Sequence, residues 1–418
     1  MQHGNGIPDV ATDSTHVIVV GGGIWGLSTA YHLARAGRCQ VTLVERTDEV
    51  GAETTPRAAG LVGQIRESAA MCGAVQYALE LFTQFTEETG YDLGLRRPGS
   101  LMVALTEARM EVYARQVENG RHNGLDAQFV SQQEMERLAP HMNAAALAGG
   151  FLVPGDGYVD PGLCARGYAM AAAELGVRVR CGTPVTGLNL EAGAVAGVRT
   201  SDGTIGGDAV VVTGGPWTAG LLQEWAGHQL ATATIRHQRV RTVPHHGVPT
   251  HHPVVRITDA SCYLRPEAGG GYIYGRFEPD PTLVDLTREH FRTADLDPPV
   301  ETMSEARRRL SPVFPVLEQL DIAERLQGVT TFAPDGNYML GPVPGVAGLH
   351  CASGCAALGI AGSAAVGRWI ASWVLDGDPG DATATSFFSV DRFGAQHTDR
   401  EWVDERGAQF YANYYGIR

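Results

Sequence analysis

Three glycines, Gly21, Gly23 and Gly26, stand in the spacing G-x-G-x-x-G, and a carboxylate, Glu45, follows the last of them by nineteen residues. Residues of these types can hold a dinucleotide. Gly21 permits a tight turn, Gly23 lets the backbone approach a diphosphate, and Gly26 lets a helix pack closely on a strand. Glu45 can accept both hydroxyl protons of the adjoining ribose. A glycine triplet alone would equally suit a structural turn, so its meaning depends on the elements that position it. Residues 16–20 (HVIVV) are a short run rich in β-branched side chains, residues 27–36 carry helical spacing, and the run 41–44 ends at Glu45. Strand, turn, helix and second strand make a βαβ unit of about thirty residues, the length a parallel crossover requires. The positive end of a helix starting near Ile24 then faces the phosphates.

Bulk composition bounds what else the chain does. Its 418 residues exceed the usual limit for a single core, so two domains, or one core with a large insertion, are expected. The 53 glycines exceed ordinary usage and predict many close backbone approaches. A net charge of -14 argues against nucleic acid and anionic membranes as partners, since either needs a basic stripe. All 32 basic side chains are arginines, and the chain contains no lysine. The seven cysteines are odd in number and scattered, which predicts reduced thiols in a cytoplasmic protein. The first fourteen residues lack a basic and an apolar leader region, and no segment approaches the roughly 20 apolar residues of a membrane span. A soluble, cytoplasmic protein is the expectation. No metal site is expected. Cys351 and Cys355 lack the C-x-x-C spacing, and the pairs His245-His246 and His251-His252 sit in a Pro/Gly loop without a carboxylate partner.

Further along, residues 163–175 read as an alanine-rich helix, 177–180 as extended chain, and 209–213 (AVVVT) as a buried strand stopped by Gly214-Gly215-Pro216. Residues 235–243 and 271–277 alternate in the manner of a half-exposed antiparallel sheet. The expected fold is α/β in two domains. A discontinuous, Rossmann-like dinucleotide domain takes 14–71, 151–231 and 325–379, and an antiparallel-sheet substrate domain over 72–150 and 232–324 is threaded through it. The aromatic tail, 380–418, is expected to dock on the body, because a free tail with that much apolar area would aggregate.

The glycine fingerprint does not separate NAD from FAD, but the rest of the chain does. VIVVGGGIWGLSTAYHLARAG followed by VTLVER resembles the D-amino-acid oxidase superfamily of FAD-dependent oxidoreductases, in particular its sarcosine oxidase, sarcosine dehydrogenase and dimethylglycine dehydrogenase branch. TTPRAAGLV (54–62) and the stretches 154–179, 210–221, 263–278 and 333–379 resemble the same branch in the expected order. The resemblance is specific to the superfamily and not to one substrate.

What it implies can be carried over by position. The adenosine half of FAD falls to Gly21, Gly23, Ile24, Trp25, Gly26, Glu45 and Arg46. Thr54, Thr55 and the loop Arg57, Ala58, Ala59, Gly60, Leu61 match the segment beside diphosphate and flavin; the threonine hydroxyls either donate to the cofactor or serve the turn. Val185 matches the strand residue whose backbone meets adenine. Gly214 and Trp217 match the crossing loop near the ribityl chain, with core packing as the alternative for Trp217. Gly354, Leu358, Gly359 and Ile360 belong to a glycine-rich stretch entering a helix at about 360–375, whose free N–H groups make a fixed positive site for the charge that reduction brings to the flavin ring. Relatives often carry flavin covalently on a histidine or a cysteine. Those positions read Arg57 and Gly328 here, so dissociable FAD is predicted, although Cys351 and Cys355 remain in the flavin region.

The implied chemistry is hydride removal from a carbon bearing an amine nitrogen, giving an imine that water hydrolyses. The substrate expected is a secondary or tertiary N-methyl amino acid or a glycine-like compound, bound as the neutral amine. A substrate carboxylate calls for a fork-shaped arginine, for which Arg57, Arg66, Arg239, Arg265 and Arg276 are candidates. His237, Tyr263, Tyr272 and Tyr274 lie on the predicted substrate-side strands and suit either an aromatic wall or sheet packing. Lacking the branch's lysine, the chain must use an arginine, a protonated histidine or a water to promote reaction with molecular oxygen, or another electron acceptor. Relatives that pass a one-carbon product to a folate-binding domain continue beyond this point, so any methyl oxidised here is expected to leave as formaldehyde. Two other functions stay open: a tailoring oxidase acting on an amine or glycyl group of a larger natural product, and a flavin-binding protein without catalysis. Nothing in the sequence fixes the oligomeric state.

Overall fold

The computed structural model of the protein describes residues 15–286 and 291–415. The leader reading of the first fourteen residues therefore lies outside the described residues, as do 287–290 of the expected substrate domain and 416–418 of the tail. His16–Val20 lies within a six-stranded sheet in the order Met339–Pro342, Leu349–Ser353, Ala209–Val212, His16–Val20, Gln40–Val44, Arg178–Arg180. Its pairs are parallel except at one edge, where Met339–Pro342 runs antiparallel to Leu349–Ser353. Alternation divides the opening strand between two cores: Val17 and Val19 face one, Ile18 and Val20 the other. Helices Ile24–Ala36, Pro161–Glu174 and Ser363–Asp376 cover the first face. The meander Val185–Glu191, Ala194–Thr200, Gly203–Gly206 packs on the second. Helices Ile24–Ala36 and Ser363–Asp376 approach closely because Gly367 has no Cβ, which would lie 2.3 Å from the Ser28 Oγ.

The second sheet has eight strands in the order Ile322–Phe332, Ala233–Thr242, Tyr272–Arg276, Cys262–Pro266, Val254–Ile257, Ser100–Ala104, Gly149–Val153, Gln128–Phe129. It is antiparallel, as expected, at every junction but one, where Val254–Ile257 runs parallel to Ser100–Ala104. These two strands come from distant parts of the chain, so no hairpin dictates their direction. Two strands, Gly149–Val153 and Ile322–Phe332, straddle the expected domain boundaries. Helix Val300–Leu310 packs on one face of this sheet, over a core that holds Tyr272 and Tyr274. The tail docks through helix Arg400–Ala412, which lies on Ala233–Thr242 and Ile322–Phe332. Its Asp399 cap accepts from the Trp402 N–H at 3.0 Å, and Gly407 brings it against the Ala233 Cβ. Among the described residues no helix is long and apolar enough to cross a membrane, and no group of His, Cys, Asp and Glu could hold a metal ion.

Candidate active site

A cavity of about 960 Å³ is lined from both sheets, with the glycine turn at one end. Gly21 sits at φ +109, and a Cβ there would lie 2.6 Å from the Thr213 carbonyl oxygen; at Gly26 it would lie 1.9 Å from the Gly21 oxygen. Both glycines close strand, turn and helix on themselves, so Gly26 does not line the cavity. Gly23 differs. The protein atom nearest its absent Cβ is Thr55 Oγ1 at 3.8 Å, which leaves room for another molecule against the backbone. No side chain caps helix Ile24–Ala36 at Gly23, and the Ile24 N–H donates to Thr55 Oγ1 at 3.1 Å. The Glu45 carboxylate is held at the cavity wall by the N–H groups of Gly22 (2.6 Å) and Thr47 (2.8 Å) and by the Thr47 hydroxyl (2.9 Å). Val185 lines the wall beside it. Arg46 stacks 4.0 Å over Trp217 and donates to Glu53 at 3.0 Å. Burial alone would raise the Glu53 carboxyl, yet the Thr293 N–H and the guanidinium groups of Arg46 and Arg292 bring it below the usual range. Trp217, with Gly214, lines the cavity and does not sit in a core.

Two loops continue the wall. In the first, Thr54 is spent on the fold: its hydroxyl donates to the Val329 carbonyl (3.0 Å) and accepts from the Val329 N–H (3.2 Å). Thr55 accepts from Ile24, and among the described residues its own proton meets no acceptor. Arg57, Ala58, Ala59, Gly60 and Leu61 all line the cavity. Arg239 and Arg265, two of the clamp candidates, hold this loop from behind. Arg239 donates to the Arg57 carbonyl at 3.0 Å, and Arg265 donates to the Ala59 carbonyl at 2.7 Å while stacking 4.4 Å over Tyr158. Burial lowers both, Arg265 to about 10. Neither lines the cavity, which corrects their expected role. Gly328 sits beside Arg57, its absent Cβ 3.7 Å from the Arg57 Cβ, so the two positions weighed for a covalent flavin link lie together, and neither residue can form one. Cys355 lines the cavity with its Sγ 3.1 Å from Thr330 Oγ1, whereas Cys351 is fully buried in a core.

The second loop departs from expectation. The helix predicted from about 360 begins at Ser363 with Gly362 at its N-cap, and in the loop before it Ala356 and Ala357 take φ of +47 and +57, left-handed values that strain residues carrying a Cβ. Gly354, at φ +70, turns the chain against Asn337 and does not line the cavity. Leu358, Gly359 and Ile360 do, with Ala361. Among the described residues the N–H groups of Gly359, Ile360 and Ala361 meet no protein acceptor, and all three residues line the cavity, which makes them a donor row available to a ligand. The Trp25 indole donates to the Gly359 carbonyl at 2.8 Å and ties this loop to the opening helix. The Gly23 clearance and this donor row fit FAD.

At the other end strand alternation decides which candidates arrive. Tyr263 pairs with Gly275 and faces the cavity; Tyr272, Tyr274 and Arg276 point the opposite way. Tyr272 and Tyr274 are fully buried in the core, where the Arg307 Nε donates to the Tyr274 hydroxyl at 3.4 Å, and Arg276 lies 3.9 Å from Glu305. These three site candidates are therefore corrected: a strand shows every second side chain to one face, and the residues alone do not say which. His237 lines the cavity 4.7 Å from Phe277, and burial lowers its imidazole to about 4, leaving it neutral. Arg66 also lines it, its buried Nε without a partner among the described residues.

Sequence reasoning missed Arg256, Asp156, Tyr414 and Tyr415. Arg256 is 7% exposed and lies in a cradle that Gly63 makes possible, since a Cβ there would lie 2.6 Å from its guanidinium nitrogens. Its side-chain hydrogen bonds are long, to Ser100 Oγ at 3.4 Å and Met102 Sδ at 3.9 Å. Asp156 accepts from the Gln64 N–H and Nε2, both at 2.9 Å; burial raises its carboxyl while Arg256 pulls the other way. The signal for Arg256 was a lone charge inside the apolar run VVRI. Tyr414, stacked 4.0 Å on Phe277, and Tyr415 bring the tail into the cavity wall.

Residues 16–373 match the profile of a family described as FAD dependent oxidoreductase, DAO. The chain is 31% identical over 411 residues to 4-methylaminobutanoate oxidase (formaldehyde-forming) of Paenarthrobacter nicotinovorans, an alignment covering 96% of this chain and 49% of that one. It is 30% identical over 411 residues to mitochondrial sarcosine dehydrogenase of Homo sapiens, covering 97% of this chain and 44% of the other. The chain thus spans about half the length of the curated relatives it matches. The crystal structure of glycine oxidase from Geobacillus kaustophilus superposes with a TM-score of 0.78 at 26% identity, covering 91% of this chain and 99% of that one.

Proposed function

Because the chain belongs to the DAO family of FAD-dependent oxidoreductases, we propose that it oxidises the C–N bond of a small carboxylate-bearing amine, an N-methyl amino acid or a glycine-like compound, with FAD held non-covalently. The observation that carries this reading is continuity: one cavity joins the glycine and N–H-lined end to a compartment bearing Arg66, Arg256 and an aromatic wall. FAD, when bound, supplies the two-electron acceptor. The turn at Gly23 and the start of helix Ile24–Ala36 hold its diphosphate, Glu45 its ribose, and the N–H row from Gly359 to Ala361 the ring edge that gains charge. On this reading 14–71, 151–231 and 325–379 carry the cofactor, and 72–150 and 232–324 the substrate. Arg66 and Arg256 clamp the carboxylate, and Tyr263, Phe277, Tyr414 and Tyr415 exclude water from the reacting carbon. The neutral His237 suits a neutral amine. The relatives named for 4-methylaminobutanoate and sarcosine support this substrate class.

Anaerobic addition of sarcosine, dimethylglycine, 4-methylaminobutanoate, glycine and D-amino acids to the yellow holoprotein tests it, with bleaching of the flavin absorption by at least one expected. Flavin that stays with the precipitate after denaturation would overturn the non-covalent part. For the oxidative half-reaction the cavity offers arginine and not protonated histidine, and oxygen consumption against dye reduction separates molecular oxygen from another acceptor. A second reading, oxidation of an amine or glycyl group on a larger molecule, is favoured by one feature. The cavity extends to Val112, Gln116 and Asn119 of helix Glu107–His122, where the buried Gln116 Oε1 has no partner among the described residues. Bleaching by none of the small amines would favour it.

A further inference from the structure

The tail helix Arg400–Ala412 meets the site through Tyr411. This residue is fully buried, its ring edge-on to His237 at 5.6 Å and packed on Phe277 and Phe332, and its hydroxyl lies 2.9 Å from the Nδ1 of His237. Among the described residues Nδ1 is the one hydrogen-bond acceptor that this hydroxyl meets. Were Nδ1 to carry the imidazole proton, the phenol proton would be buried without an acceptor, so the phenol donates to Nδ1. A neutral imidazole whose Nδ1 accepts must carry its proton on Nε2. Burial keeps both partners in the forms this requires, the imidazole neutral and the phenol protonated.

We propose that Tyr411 is a positioning residue that fixes His237 as the Nε2–H tautomer, so that the histidine meets the substrate as a hydrogen-bond donor and not as a base. Resting on the amine-oxidation reading for its ligand, the donor suits a substrate carboxylate oxygen alongside Arg66 and Arg256. A histidine so fixed cannot take the amine proton, in keeping with a substrate that arrives neutral.

Nitrogen-resolved NMR of FAD-loaded protein carrying isotope-labelled histidine, near neutral pH, tests the tautomer, with His237→Gln assigning the signal. A bare Nδ1 and a protonated Nε2 are expected; a protonated Nδ1 overturns the proposal, and this spectrum needs no Tyr411 variant to fold. Tyr411→Phe is expected to abolish the tautomer preference while leaving bound FAD and its visible spectrum in place, and an unchanged tautomer also overturns it. With sarcosine as probe, the same variant is expected to raise the half-saturating concentration for flavin bleaching about tenfold, the loss of one well-placed hydrogen bond. An altered tautomer with unchanged half-saturation overturns the donor role. If no amine bleaches the wild-type flavin, the amine-oxidation reading fails, and the NMR spectrum still decides the tautomer.

Discussion

On the proposed reading, the two ends of the cavity recognise their ligands by different means. At the dinucleotide end the work falls to backbone: the clearance at Gly23, the uncapped helix start, and the N–H row of Gly359, Ile360 and Ala361. At the substrate end it falls to side chains, with Arg66, Arg256, His237, Tyr263 and Tyr415 arriving from separate segments. A backbone site is written in contiguous residues, since the chain must turn in one place. A side-chain site is written in the register of a sheet, which brings residues far apart in sequence onto one face.

The sharpest way to break this contrast lies in two neighbouring glycines. Gly26→Val places a Cβ 1.9 Å from the Gly21 oxygen, a backbone atom that cannot give, and should cost roughly 4 kcal/mol or more, with little soluble protein. Gly23→Val meets only Thr55 Oγ1 at 3.8 Å and should fold. It should nevertheless be colourless, with FAD affinity reduced about 1,000-fold, or ~4 kcal/mol. Thermal melting and the visible spectrum check both, and a yellow Gly23→Val protein would mean that the backbone does not read the diphosphate.

At the substrate end the matching change is Arg256→Met. Loss of a buried charged donor is worth about 3 kcal/mol, so KM for a carboxylate substrate should rise about 100-fold with the FAD spectrum unchanged. Arg256→Lys should not rescue it, because the cradle under Gly63 fits a planar fork. Steady-state kinetics decide, and an unaltered KM would move the clamp to Arg66 alone.

Acid should weaken both ends alike. His32, on the opening helix, and His252, under the second sheet, are buried, and desolvation lowers each imidazole from 6.5 to about 4. Their folded values are depressed, so each stabilises fully above pH 6.5, and that stability drains away as pH falls towards 4. Each contributes on the order of 3 kcal/mol over that window. Melting temperature followed from neutral pH downward should fall steeply there, and His252→Phe, which keeps the stack on Phe314, should flatten the slope. A flat profile in the wild type would contradict the burial of both rings.

The same contrast explains what could be read from the amino acids. The opening strand, glycine turn, helix and Glu45 were legible because each role depends on near neighbours. Most of residues 54–61, and residues 358–360, were legible as cavity lining through resemblance, although the sequence pattern hid the left-handed pair Ala356-Ala357 that precedes the second group. Arg239 and Arg265 had the right chemistry for a clamp and proved to brace the loop carrying Arg57 and Ala59, a distinction that needs the position of carbonyl groups from another segment. Arg256 escaped notice because its cradle is made by Gly63, far away in the chain. Tyr414 and Tyr415 were read as docking residues, and docking brought them to the wall.

The smallest expected effect tests strand facing directly. Tyr272 was a candidate for the aromatic wall, yet its hydroxyl is buried with no hydrogen-bond partner among the described residues. An orphaned hydroxyl costs about 1 kcal/mol or more, and phenylalanine keeps the same ring contacts with Phe314 and His252. Tyr272→Phe should therefore leave kcat and KM unchanged and raise stability by up to ~1 kcal/mol, visible as a small upward shift in melting temperature. Tyr263→Phe, one strand away on the opposite face, should alter kinetics instead. If Tyr272→Phe changed turnover and Tyr263→Phe did not, the register between Cys262–Pro266 and Tyr272–Arg276 would be inverted relative to the cavity, and the side-chain end of the site would have to be rebuilt from the other face.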